Sequence, residues 1–206
     1  MSAAREDVLA RVRAALRDKP DVDGAAPYAP PPVPAGFEGV GLFAERVADY
    51  KAVVRRVDGG GSVADAAAGA FAAHGALRVG VPPRLPGAWR PAGLSIIEDD
   101  DLAVGDLDAI DGALTGCALA IAETGTIVLD GGERSGRRAL TLVPDLHVCV
   151  VEAAQVVASV PEAIRALEGG RGPFTFVSGP SATSDIELNR VEGVHGPRRL
   201  EVLLVD

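Results

Sequence analysis

Apolar residues near the start of the chain recur at a helical spacing among charged residues. Val8, Val12 and Leu16 are four residues apart, which places them on one face of a helix over residues 4–17. Pro20 ends this helix, because proline cannot continue a helical hydrogen-bond ladder. One short amphipathic helix is not stable alone, so its apolar face needs a surface to pack on.

A proline-rich stretch follows this helix. Residues 21–36 are dominated by proline, alanine and glycine, a composition typical of a semi-rigid linker. The sequence therefore predicts two parts. Residues 1–38 form an N-terminal helix with its linker, and residues 39–206 form a folded domain.

Two helices are predicted at the start of the folded domain. The first has an apolar stripe that ends at the three glycines 59–61; its members are Phe43, Val47, Tyr50, Val54 and Val57. The second begins at Ser62, whose hydroxyl is a good N-cap with Asp65 three residues on. It runs to about His74 and ends at Gly75.

Short uninterrupted apolar runs occupy much of the remaining chain. They are residues 77–81, 94–97, 118–122, 127–129, 140–143, 148–151 and 202–205. Such runs are typical of strands that are covered on both faces, as in a parallel sheet flanked by helices. A late helix is indicated by Pro161 at a first-turn position. Strands and helices thus alternate, which predicts an α/β fold with a mostly parallel sheet.

Composition and charge exclude several classes of protein. The 206 residues are 48% hydrophobic and 24% charged, which is typical of a packed domain. The formal net charge of −9 argues against nucleic acid or an anionic membrane as the main partner. No apolar run approaches the roughly 20 residues of a membrane span, and the N-terminus lacks the apolar core of a signal peptide. A cytoplasmic location is expected.

No cofactor or metal site is indicated by a motif. Cys117 and Cys149 both lie in apolar runs and are interpreted as buried, inert thiols. Two cysteines are too few for the four ligands of a standard iron–sulfur cluster. The three histidines have no metal-ligand spacing, and neither a P-loop nor a dinucleotide-binding glycine motif is present. We predict no metal and no resident cofactor in this chain.

The most informative loop follows the apolar run at residues 174–177. It contains four hydroxyl residues, a Gly-Pro turn and an acidic residue: Ser178, Gly179, Pro180, Ser181, Ala182, Thr183, Ser184 and Asp185. A helix is predicted to follow, so the loop would open onto a helix N-terminus, where free N–H groups favour an anion. These residues are predicted to bind a small carboxylate or a phosphate. Ordinary N-capping by Ser184 or Asp185 is the alternative.

A second loop has a similar character. Thr124, Gly125 and Thr126 combine two hydroxyl groups with a glycine that lets the backbone approach a ligand. In open α/β sheets ligands lie beyond the carboxyl ends of the strands, so both loops are predicted to face each other across a crevice there. A plain hairpin turn is the alternative reading of Thr-Gly-Thr.

Two titratable residues are candidates for catalysis. Glu123 stands at a strand end, where a carboxylate can act as a nucleophile or general base, or can accept hydrogen bonds from nearby backbone N–H groups. His195 lies between glycines in a loop, a position suited to acid–base work or substrate binding. His147 is assigned a structural role. The arginines of residues 131–138 are either solvated or reach toward an anion.

Four segments resemble the lactate-utilisation C family, also called the LUD domain family. They are AIAETGT (120–126), LVPDLH (142–147), GPSATSDIE (179–187) and GVHGP (193–197), and they occur in the family's order. The resemblance implies a three-layer α/β/α fold of the sugar-isomerase and CoA-transferase type, also called NagB/RpiA-like. It also implies a role in the oxidation of L-lactate to pyruvate. Iron–sulfur centres are then expected in partner proteins, with this chain as a non-redox subunit.

Three functions remain open at this point. The first is a subunit of a lactate-oxidising system that binds a small anion at the two loops. The second is a stand-alone isomerase or acyl-transferase in which Glu123 is the base or nucleophile. The third is a non-catalytic assembly module that uses the N-terminal helix to bind a partner or a second copy, giving a homo-oligomer.

Overall fold

The computed structural model describes residues 3–17, 38–58, 61–170, 172–183, 191–193 and 195–206. The chain divides into two units, residues 1–32 and residues 33–206. In the first unit, helix α1 spans Ala3–Ala15, close to the predicted range of 4–17. An ion pair of 2.8 Å joins Arg11 to Asp7 one turn earlier, while Val8, Val12 and Leu16 are exposed. The predicted linker at residues 21–36 lies outside the described residues.

The second unit contains the remaining elements. Its helices are α2 (Gly39–Asp49), α3 (Val63–Ala72), α4 (Val104–Asp108) and α5 (Val160–Ala166). Its strands are β1 (Val53–Val57), β2 (Arg78–Val81), β3 (Ser95–Glu98), β4 (Gly112–Gly116), β5 (Leu119–Ile121), β6 (Thr126–Leu129), β7 (Leu146–Glu152), β8 (Val156–Val157), β9 (Thr175–Val177), β10 (Ala182–Thr183), β11 (Val191–Glu192) and β12 (Arg199–Val205). None of the described helices is both long and apolar enough to cross a membrane.

A parallel sheet forms the centre of this unit. Among the described residues it has six strands in the order β1-β12-β7-β4-β2-β3, and every neighbouring pair is parallel. The central strands β7 and β12 are buried over most of their length, as expected for strands covered on both faces. The predicted α/β class with a mostly parallel sheet is confirmed.

A second, smaller sheet covers part of the first. Within the described residues its order is β8-β5-β6-β9, with β6 antiparallel to both β5 and β9. The apolar runs at 118–122 and 127–129 therefore do not belong to the parallel sheet, which corrects the prediction. The reason is the connection between them: the short turn joining Ile121 to Thr126 can close an antiparallel hairpin but is too short for a parallel crossover.

Two other predicted elements are wrong. The stripe from Phe43 to Val57 is not one helix, because α2 ends at Asp49 and residues 53–57 form β1. Lys51, between them, has a φ of 67°, a left-handed conformation that no helix can contain. Residues 140–143 form turns rather than a strand.

Two cores lie on opposite faces of the parallel sheet. On one face Phe71 of α3 belongs to the same core as the strand residues Val148 and Leu203. Ser62 caps α3 by accepting a hydrogen bond of 3.2 Å from the Asp65 backbone N–H, as predicted. On the other face α2 and the second sheet pack together against the strands. Helix α5 then covers the far side of the second sheet.

Candidate functional site

A cavity of about 260 Å³ lies where the two sheets meet. Its walls come from the turn before β7, the loop before β12, the first residues of those two strands, and strand β9 with the loop that follows. The described residues lining it are Arg138, Thr141, His147, Thr175, Phe176, Val177, Ser178, Gly179, Pro180, Ser181, His195, Gly196, Pro197 and Leu200. The cavity therefore sits at the amino ends of β7 and β12, not at the carboxyl ends of the parallel strands as predicted.

Arg138 supplies the positive charge of the cavity. Its Nη1 donates two hydrogen bonds of 3.0 Å to Thr141, one to the backbone oxygen and one to Oγ1. Among the described residues no carboxylate lies within 4.0 Å of this guanidinium, so its remaining N–H groups have no anionic partner there. Partial removal from water at this position lowers the pKa of Arg138, which nevertheless stays charged.

His147 lies deeper, near the start of β7. The side chain is only 3% exposed, and Nε2 is 2.8 Å from Oγ1 of Thr115 on the neighbouring strand β4. Burial, together with the nearby charge of Arg138, lowers the pKa of His147 to about 4. The imidazole is thus neutral at pH 7, with one nitrogen held by Thr115 and the ring at the cavity wall.

A chain of hydroxyl groups connects the two predicted loops. Oγ1 of Thr124 is 2.7 Å from Oγ1 of Thr126, which in turn is 2.7 Å from Oγ of Ser178. The two loops are therefore adjacent, as predicted, but only Ser178 of these three lines the cavity among the described residues. Thr124 and Thr126 form a second layer that orients the Ser178 hydroxyl.

His195 and Ser181 also line the cavity. The backbone N–H of His195 donates a hydrogen bond of 2.9 Å to Oγ of Ser181, and the Ser181 N–H bonds the Pro197 carbonyl at 2.9 Å. The side chain of His195 is exposed and lines the cavity. The sequence thus predicted His195 at a site, and the structure places it beside Ser178–Ser181 rather than beside Glu123.

The two glycines of the predicted loops pack closely against other segments, and Gly179 also lines the cavity. Gly125 has a φ of +59°, and a side chain there would meet the backbone of α2, with Arg46 C at 2.6 Å. Gly179 has a φ of +88°, and a side chain there would lie 2.6 Å from Cβ of Tyr50. The hairpin reading of Thr-Gly-Thr is the one that the β5–β6 pairing bears out.

Glu123 has a structural partner. Its Oε1 accepts a hydrogen bond of 2.8 Å from the N–H of Val160, the first residue of α5. A carboxylate at this end of a helix is stabilising because it satisfies a free N–H and meets the positive end of the dipole. Glu123 is not among the described residues of the cavity wall, so its catalytic role stays a prediction without a geometric partner.

The end of the predicted anion loop differs from the expectation. Ala182 and Thr183 are not a plain loop; they form β10, which pairs antiparallel with β11. Ser184, Asp185 and the predicted helix after them lie outside the described residues. Among the described residues, the groups of the cavity that could bind an anion are the Arg138 guanidinium and the hydroxyl groups.

Arg138, Thr141 and His147 are three of the wall residues that sequence reasoning did not select. Arg138 had a partial signal, since the arginines of residues 131–138 were expected either to be solvated or to reach toward an anion. Nothing in the sequence pointed to His147 as a wall residue, because a histidine between two apolar residues of a strand is usually a core residue whose nitrogens are hydrogen-bonded within the protein. Only the pairing of β7 with β4 and the position of the second sheet bring it to a cavity.

The cavity is suited to a small organic anion. In a chain with a net charge of −9, the described wall residues include one arginine and two histidines but no aspartate or glutamate. Ser178 and Ser181 add hydroxyl groups, while Phe176, Val177 and Leu200 add apolar surface. A few convergent polar groups in an otherwise apolar cleft are typical of small-molecule sites.

Comparison with known proteins places the chain in a family. A protein of Deinococcus radiodurans described as lactate utilization protein C is 44% identical over 197 residues, which cover 89% of this chain and 90% of the relative. The chain belongs to the lactate utilization protein C family. A Bacillus pumilus relative of the same description is 41% identical over 93 residues, or 42% of this chain and 38% of the relative. The resemblance seen in the sequence is thus confirmed.

The structure of the family agrees with the fold. A crystal structure of a DUF162 family protein from Deinococcus radiodurans matches with a TM-score of 0.72 and 39% identity, covering 85% of this chain and 100% of that chain. Residues 105–205 match the LUD domain. This range contains every described residue of the cavity wall, and it excludes helix α1. The cavity is therefore built from the LUD domain itself.

Proposed function

We propose that the chain is a subunit of a lactate-utilisation system and binds L-lactate or pyruvate in the cavity of Arg138. The observation that carries this proposal is a guanidinium that has no carboxylate partner among the described residues, in a cavity whose described walls contain no carboxylate. Membership of the lactate utilization protein C family supports lactate as the compound concerned.

The dimensions and charge of the cavity support a small acid over larger ligands. About 260 Å³ is below the roughly 300–1,000 Å³ typical of pockets for drug-sized ligands, so acyl-CoA and folates fit poorly. The described walls contain a single permanent positive charge, which matches a monocarboxylate. The guanidinium can donate to both carboxylate oxygens, which is among the stronger polar contacts that proteins make.

Oxidation of lactate needs an electron acceptor, and we place it in partner proteins. Iron–sulfur proteins of the same system would take the electrons, while this chain would hold the acid as a non-redox subunit in the cytoplasm. Mixing the chain with those partners and measuring the elution volume of the mixture tests this arm separately from ligand binding.

The test of the ligand proposal is isothermal titration calorimetry with L-lactate, pyruvate and inorganic phosphate. We expect both acids to bind and Arg138→Gln to weaken them by roughly 10- to 100-fold, because a charge-assisted hydrogen bond contributes about 1.5–3 kcal/mol. Arg165→Gln is the matched control, since Arg165 is an exposed arginine of α5 away from the described wall.

Equal affinity in the wild type and Arg138→Gln would contradict the proposal. Phosphate binding in place of the acids would favour the isomerase alternative. That alternative further requires turnover of sugar phosphates or acyl-CoA donors that is lost in Glu123→Gln. No described contact favours it, because the Glu123 carboxylate is engaged with α5.

A further inference from the structure

The wall of the cavity contains two groups that could recognise a ligand. Arg138 and His147 both line it, and the charge of Arg138 acts on the imidazole of His147. In a 2-hydroxy or 2-oxo acid the carboxylate and the C2 oxygen are also neighbours. A guanidinium and an imidazole that line one small cavity can therefore contact the two neighbouring groups of a single ligand.

His147 has one ring nitrogen in use. Nε2 is held by Oγ1 of Thr115, and Nδ1 makes no hydrogen bond to any residue that the structure describes. Nδ1 is not one of the described side-chain atoms that are fully buried without a partner, so an unused Nδ1 is open to the cavity and available to a ligand. Neutral imidazole carries one donor and one acceptor nitrogen.

The Thr115 hydroxyl can either donate to Nε2 or accept from it. When Thr115 donates to Nε2, the ring proton is on Nδ1, which can donate to a keto oxygen. When Thr115 accepts from Nε2, Nδ1 is unprotonated and can accept a hydrogen bond from a hydroxyl group. The pair Thr115–His147 can thus match a C2 oxygen in either oxidation state without a change of charge.

We infer that His147, held by Thr115, is the specificity-determining residue that recognises the C2 oxygen of the acid, while Arg138 holds its carboxylate. This inference rests on the proposed function, because it assigns a second contact to the same ligand. It selects 2-hydroxy and 2-oxo monocarboxylates, and it rejects the unsubstituted acid of the same length.

The test compares L-lactate with propionate, which lacks the C2 oxygen. Calorimetry on the wild type should give roughly 10-fold tighter binding of lactate, the effect of about one hydrogen bond at a buried group. Thr115→Val removes the hydroxyl at nearly constant shape; we expect lactate affinity to fall to the propionate level and propionate affinity to stay the same. Thr115→Ser keeps the hydroxyl and should keep the preference.

A second measurement does not depend on a variant that folds well. Nitrogen NMR of the histidine rings in the wild type should show the Nδ1 resonance of His147 shift with lactate and with pyruvate, but not with propionate. Equal binding of lactate and propionate, both weakened by Arg138→Gln, would overturn the role of His147 and leave the proposed function standing. No binding of any acid would overturn both.

Discussion

His147 and His195 line the same cavity in opposite environments. His147 is 3% exposed on a central strand, whereas His195 is exposed in a loop. An imidazole that cannot be solvated resists protonation, so His147 serves as a neutral hydrogen-bonding group over the whole physiological range. The protonation of this one residue therefore makes the free energy of unfolding depend on pH.

Stability should fall as the pH is lowered from 6.5 toward 4. In the unfolded chain His147 gains a proton near its ordinary pKa of 6.5, while in the folded state its pKa is about 4. Between these values the unfolded state binds one more proton, so acid favours unfolding, by roughly 3 kcal/mol in total. The contribution is fully present above pH 6.5. Urea unfolding at half-unit pH steps measures it.

His147→Gln is the control for this pH dependence. The variant loses stability at every pH because it disturbs a buried hydrogen bond to Thr115, but its decline between pH 6.5 and 4 should be smaller than that of the wild type. Parallel pH curves for the two proteins would contradict the assignment.

At the scale of elements, helix α2 and its C-cap residue Tyr50 pack against two loops at the site: the β5–β6 turn and the loop after β9. The β5–β6 turn packs its Gly125 against the backbone of Arg46 and Val47, and the loop after β9 packs its Gly179 against Tyr50. The Thr126–Ser178 hydrogen bond then joins the two loops. Their relative position is thus set by a helix outside the LUD-matched range.

Gly125→Ala should destabilise the protein more than Gly131→Ala. Both glycines have a positive φ, which costs an alanine about 1–2 kcal/mol. At Gly125 the added Cβ also meets α2 backbone atoms at 2.6–2.7 Å, whereas nothing lies within 4 Å at Gly131. We expect Gly125→Ala to lose a further ~1–3 kcal/mol of stability, and each kcal/mol to lower the melting temperature by about 2–4 °C.

Calorimetric melting of the two variants checks this prediction. Equal losses would mean that the turn moves away from α2 without cost. If the loss of stability is larger in Gly125→Ala, that variant should also bind lactate more weakly, because the Thr126–Ser178 hydrogen bond shifts with the turn.

Elements were easier to predict than their pairing. Apolar runs identified β2, β3, β5, β6, β7 and β12, since burial on both faces needs continuous hydrophobic residues. The same signal cannot tell a parallel strand from an antiparallel one, so β5 and β6 were assigned to the wrong sheet. The apolar positions of residues 53–57 fit the periodicity of a helix as well as that of a strand. Only the left-handed conformation of Lys51 separates β1 from α2.

The candidate site followed the same rule. The loops with Ser178–Ser181 and His195 were found because glycine and hydroxyl residues are unusual after apolar runs. Arg138 and His147 were missed as a pair, because nothing local shows that a turn residue and a core histidine meet in space. Their proximity depends on how β7 pairs with β4 and on where the second sheet packs.

At the scale of the whole molecule, the N-terminal helix segment differs in charge from the rest of the chain. Residues 3–17 carry four arginines and two acidic residues, a net charge of +2, although the whole chain carries −9. The apolar positions Val8, Val12 and Leu16 are 58%, 47% and 61% exposed. By contrast, the buried core residues of the second unit are Phe43 and residues that follow it in the chain, so none of them belongs to α1.

Deleting residues 1–38 should therefore leave the folded domain and its site unchanged. All described residues of the cores and of the cavity wall remain in the truncated chain, so we expect an unchanged melting temperature and an unchanged affinity for L-lactate. Differential scanning calorimetry and titration of both proteins measure this. A marked drop in melting temperature would contradict the predicted boundary near residue 38. A changed elution volume, with stability and affinity retained, would assign the N-terminal helix to association with a partner or a second copy.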